Sequence, residues 1–132
     1  MVYQLSYCVV ENGEIREVPF TYDPATGDSL HEGRPLREAF PVTAEYGRSA
    51  NWYVNNEYLR FRGRIYWKFG LPRELKTSDV VPVGRSEQGL GVFAEPRTLR
   101  FPVLEFVYVP DSPGCLFQPY ETELRTGAVR GR

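Results

Sequence analysis

The chain is a series of short runs in which apolar and polar positions alternate, and nearly every run is closed by glycine, proline or an Asn-Gly pair. Alternation with a period of two sends successive side chains to opposite faces, so the pattern predicts short strands and leaves little room for helices. Residues 2–10 and 15–22 flank Glu11-Asn12-Gly13-Glu14. An Asn-Gly pair suits the two positive-φ positions of a type I′ turn, and the three pieces together predict a β-hairpin. Asp23-Pro24-Ala25-Thr26-Gly27-Asp28 reads as a turn, as does His31-Glu32-Gly33-Arg34-Pro35. Residues 36–40 predict one short helical turn ended by Pro41, because proline disfavours helical backbone at the residue before it.

Trp52 to Val54 and residues 58–69 are dense in β formers and interrupted at Asn55-Asn56, which predicts two or three strands. Gly70-Leu71-Pro72 breaks this run; residues 75–83 predict a brief strand, and residues 89–94 a strand entered through glycines. The most hydrophobic run, FPVLEFVYVP at 101–110, predicts a central core strand. Asp111-Ser112-Pro113-Gly114 then reads as the turn of a terminal hairpin completed by residues 115–120. The expected fold class is all-β and mostly antiparallel, a small barrel or β-sandwich of short strands with at most one or two short helical turns. One β domain is expected over 1–122, and residues 123–132, which have little to bury, predict a frayed tail.

A length of 132 residues suits one core, and nine Tyr, eight Phe and two Trp supply the bulk to fill it. Sixteen basic against seventeen acidic residues give a net charge of -1, so nothing global draws the chain to nucleic acid or to an anionic membrane; a basic surface must be local. No apolar run approaches the ~20 residues of a membrane helix, and the start has no basic stretch leading into an apolar one. The expectation is a cytoplasmic protein with no membrane partner, a removed signal peptide being the alternative. Cys8 and Cys115 are too few for a disulfide scaffold and too far apart for a metal knuckle, so they are expected as two small buried or half-buried thiols, with a single long-range disulfide as the rival. No cofactor and no metal site are expected.

Candidate chemistry concentrates in residues 58–69. Arg60, Arg62, Arg64 and Lys68 fall on even positions and apolar residues on odd ones, so the odd side chains are expected to pack and the even ones to form a basic face. Gly63 tolerates positive φ, which favours a hairpin tip at Arg62-Gly63 over one straight strand. The candidate binding residues are Trp52, Tyr58, Arg60, Arg62, Arg64, Tyr66 and Lys68. Aromatic rings stacking on bases while guanidiniums hold phosphates would make a single-stranded nucleic-acid groove; the neutral total charge and the ordinary solvation of a strand's outer face weigh against it. Trp52, Tyr53, Asn55, Asn56 and Glu57 mix aromatic platforms with amides, as a sugar-binding surface requires. No residue is assigned a catalytic role: His31, the lone histidine, sits in a turn, and residues 84–93 lack the lysine of a phosphate loop. The expected function is therefore a noncatalytic protein-interaction or structural module whose partner is another protein chain or a second copy. Single-stranded nucleic-acid binding through 58–69 is the alternative, and a small enzyme or sugar-binding domain comes after it.

Overall fold

The computed structural model of the chain describes residues 1–126. Its strands are mostly antiparallel and form two sheets, the larger curled into a half-barrel, as the period-two pattern predicts. β1 (Tyr3–Glu11) and β2 (Glu14–Asp23) make the first hairpin, and the Asn-Gly pair turns it with φ of 53° at Asn12 and 75° at Gly13. β3 (Asp28–His31) and β4 (Arg34–Pro35) extend this sheet in the order β1-β2-β3-β4. The helical turn α1 (Leu36–Ala39) follows, stopping just short of Phe40 and Pro41 as expected.

The second sheet runs β5-β6-β11-β10-β9-β8, built from β5 (Leu59–Phe61), β6 (Arg64–Lys68), β8 (Val81–Arg85), β9 (Gly91–Ala94), β10 (Phe106–Ser112) and β11 (Leu116–Thr122). β7 (Arg73–Glu74) also pairs with β11, beyond the place where β6 leaves it. Gly70, at φ 73°, makes the break between β6 and β7. The final helical turn, α3 (Glu123–Thr126), packs against β6 and β11 and takes up the first four residues of the expected tail; residues 127–132 lie outside the described residues.

Two clusters fill the interior. On the concave face of the curled sheet, Leu59, Phe61, Tyr66, Val92, Ala94, Val107, Val109 and Tyr120 close around Tyr53. On the opposite face, Phe93, Tyr108 and Phe117 pack with Val10 and Tyr46, joining the two sheets.

Four expectations are corrected. Trp52 to Val54 is not a strand: α2 (Asn51–Val54) is a helical turn, with the amides of Val54 and Asn55 bonded to the carbonyls of Ala50 and Asn51 at 3.1 and 2.9 Å. Burying Tyr53 and part of Trp52 in the concave core outweighs the β preference of those side chains. The core strand begins at Phe106 rather than at 101, because the chain is bent over 101–105 and rejoins the sheet only at Glu105, whose carbonyl accepts from the Thr122 amide at 2.8 Å. Asp111 is not a turn residue but a strand residue 2% exposed, and the turn falls at 113–115. Finally, the cysteines are not free: Cys8 and Cys115 form a disulfide that fastens β1 to the β10–β11 turn.

Candidate interaction surface

The hairpin tip at Arg62-Gly63 is present, with φ of 52° and 73°, and it decides where every basic residue of 58–69 points. Directly paired residues share a face. Leu59 pairs with Tyr66 and Phe61 with Arg64, so the core-facing set is odd on β5 and even on β6. The expected split into a packed odd face and a basic even face therefore holds only on β5. Tyr66 is 2% exposed and its hydroxyl donates to the Leu104 carbonyl at 2.8 Å. Lys68 turns inward, donating to the Tyr53 carbonyl at 2.6 Å and to Asn56 Oδ1 at 2.8 Å, with its ammonium 3.9 Å from the Tyr53 ring centre. Burial lowers its pKa.

Behind Lys68 lies a buried polar cluster. The Tyr53 hydroxyl donates to Asp111 Oδ1, and Arg48 Nε and Ser112 Oγ donate to Oδ2 at 3.1 and 3.0 Å. Burial, and then the bond to Asp111, push the Tyr53 phenol well above the usual tyrosine range. Arg48 keeps its side chain largely in solvent, so the carboxylate meets one cation at the edge and one phenol inside. This arrangement holds the helical turn against β10.

Of the other predicted residues, Arg62 sits at the tip, donating to the Val83 carbonyl at 2.7 Å, and Trp52 packs partly buried against the concave core. Only Tyr58 and Arg60 reach the outer face of the sheet. There the register lines up two rows across the strands. Trp67 pairs with Glu121 and Glu121 with Phe106, while Tyr58 meets Trp67 edge-on with ring centres 5.7 Å apart. In the next row Phe69 bonds to the Pro119 carbonyl, Pro119 pairs with Tyr108 and Tyr108 with Phe93. Phe69 and Phe106 touch across the rows at 5.6 Å. The first sheet covers the Phe93 end; Tyr58, Phe69 and Phe101 remain 39%, 42% and 51% exposed.

The segment that bends away from the sheet before β10 forms the far wall of this face. Between Phe101, Pro102 and Val103 on that wall and Phe106, Thr122 and Leu124 lies a mainly apolar cleft of about 440 Å³. It is continuous, through Phe101, Glu105 and Phe106, with a second hollow bordered by Arg73 and Arg100. Arg100 lies over the Phe101 ring at 5.1 Å and Arg73 over Tyr108 at 5.6 Å. Among the described residues neither guanidinium has a carboxylate within ion-pair distance, whereas Arg60 is 3.9 Å from Glu87 and Arg97 3.1 Å from Glu95.

Sequence reasoning missed Phe69, Arg73, Arg100, Phe101 and Phe106 as candidates. The stretch RTLRFPVLEF carries the same mixture of arginine and aromatic residues as 58–69, but its hydrophobic part from Phe101 onward reads as the start of the core strand. His31, expected in a turn, is instead the last residue of β3, its side chain 17% exposed beside the Phe40 ring, with Nδ1 donating to the Pro19 carbonyl at 2.6 Å. No family model, curated protein or solved structure matches the chain.

Proposed function

We propose that the protein is a noncatalytic interaction module whose outer sheet face binds an extended segment of another protein, one carrying an apolar side chain for the Phe101–Phe106 cleft and a carboxylate for Arg73 or Arg100. The carrying observation is the charge balance of that face. A nucleic-acid groove accumulates positive charge. Here Arg60 and Arg97 are already paired, and Glu95, Glu105 and the buried Glu121 lie among the aromatics. Aromatic residues and arginine around an apolar cleft, with carboxylates interspersed, are the make-up of a protein interface. The disulfide favours an oxidising compartment as the place of work, in preference to the cytoplasm.

The test is to pan a random-peptide library on the immobilised protein and to titrate a fluorescent oligothymidine at low salt in parallel. Enriched peptides with paired acidic and apolar residues, losing at least ~10-fold in affinity toward Phe101→Ala or Arg100→Glu, support the reading. Binding of the oligothymidine with a steep salt dependence, or enrichment insensitive to both substitutions, overturns it.

A further inference from the structure

Among the described residues the two sheets have five edge strands, and four of them are protected. β4 is two residues long and contains Pro35; β5 is three residues long and carries Arg60; β7 is two residues long and both are charged; β8 contains Pro82 and has a bulge between Pro82 and Gly84. Short length, proline, bulges and charge are the usual devices that stop an edge from recruiting another strand. β1 has none of them before its last residue, Glu11. It is nine residues long, and residues 2–10 contain no charged residue, no proline and no glycine.

Its two halves differ. In the second half the outward-facing groups are used within the chain: the Cys8 carbonyl accepts from the Gly114 amide at 2.8 Å, and the Val10 amide donates to the Tyr46 hydroxyl at 2.9 Å. Residues of the same parity face the same way in an antiparallel ladder, so the amides and carbonyls of Gln4 and Ser6 also face outward. Among the described residues β1 pairs with β2 alone, and residues 3–6 are exposed throughout, Tyr3 to 48% and Leu5 to 46%.

We propose that the first half of β1 pairs antiparallel with the same segment of a second copy, about a two-fold axis at Leu5, joining the two four-stranded sheets edge to edge. In this register Gln4 faces Ser6 of the other copy and all four outward groups of each copy's pair are bonded. Leu5 meets Leu5, and Tyr3 meets Tyr7, on one side of the joined sheet. A second copy suits this edge because a symmetric contact sets each residue against its own kind or a near neighbour, and an uncharged segment meets no like charge there. The pairing names one partner for the interaction module proposed above but uses a different surface, so either can fail without the other.

Light scattering coupled to size exclusion, from about 10 µM to about 500 µM, should show the mass climbing from 15.2 kDa toward twice that value. Ser6→Pro removes one outward amide while leaving the β1–β2 ladder intact, and Leu5→Lys places two ammonium groups at the axis; each should weaken self-association at least ~10-fold with an unchanged far-ultraviolet spectrum. If one variant does not fold, the other decides. Amide exchange at Gln4 and Ser6 should slow as concentration rises, and Phe101→Ala should associate as the wild type does. A wild-type chain that stays monomeric over this range, or association that survives in the folded variants, overturns the proposal.

Discussion

Tyr53 and Asp111 are 58 positions apart in the chain, and the phenol of the first donates to the buried carboxylate of the second. The contact depends on Gly47, since a Cβ there would overlap the Tyr53 ring. Gly47→Ala must therefore displace the ring from its site, and overpacking of this kind costs about 1–3 kcal/mol. Tyr53→Phe removes the same hydrogen bond and leaves Asp111 partly unsatisfied, at about 1–3 kcal/mol. In urea unfolding the double variant should lose less than the sum of the two single ones, because both act through one contact. Full additivity would show that Gly47 serves something other than the Tyr53–Asp111 bond.

Tyr120 presents the opposite case. It is fully buried beside this cluster, yet among the described residues its hydroxyl has no hydrogen-bond partner. Burying an unbonded hydroxyl costs about 1–3 kcal/mol, and Tyr120→Phe removes that cost while keeping the ring. The substitution should raise the thermal midpoint by several degrees; a lowered midpoint would mean that the hydroxyl is bonded in solution.

Six tyrosines, Tyr7, Tyr46, Tyr53, Tyr66, Tyr108 and Tyr120, have raised pKa values, in each case chiefly because burial disfavours the phenolate. A group whose folded pKa lies above its unfolded value contributes stability that is intact below the unfolded value and lost as pH rises past it. Lys68, lowered by burial, acts with the opposite sign, but it is one group against six. Stability should be level up to the ordinary tyrosine value of 10.0 and fall steeply above it. Absorbance at the phenolate band should show these six ionising together with the loss of far-ultraviolet signal, and smooth titration ahead of unfolding would contradict the burial.

The Cys8–Cys115 bond spans 107 positions and joins the two sheets. Cross-linking so long a loop removes much of the freedom of the unfolded chain, and its loss should cost about 2–5 kcal/mol. The Cys8→Ser, Cys115→Ser variant should melt about 10 °C below the oxidised protein. Equal midpoints would show that the bond is not formed in the native protein.

Local turn chemistry was the most legible part of the fold. Asn12-Gly13 and Gly63 place the hairpin tips where positive φ is tolerated, and the Leu36 helical turn ends where Pro41 requires. What the sequence concealed was set by distant partners. Trp52 and Tyr53 carry β-forming side chains into a helical turn because the pocket that accepts Tyr53 is built from strands far along the chain. Asp111 resembles a turn residue until Tyr53 and Arg48 are brought to it. Within the candidate surface the residue types were readable and the sidedness was not. A two-residue tip reverses parity between β5 and β6, sending Arg60 outward with Trp67 and turning Lys68 inward. Phe101 and Phe106 came into view only once the bend at 101–105 separated wall from strand.

The disulfide also divides the molecule topologically. From Cys8 to Cys115 the backbone and the bond make one closed covalent ring, which contains the turn at 23–28, the loop around Gly70 and the arginine wall at 97–100. A protease that nicks the chain once in any of them opens the ring without releasing a fragment, and the clipped protein migrates as one species until it is reduced. The exposed half of β1, residues 3–6, precedes Cys8 and lies outside the ring. A cut there sheds the uncharged edge and leaves the rest of the protein tied together.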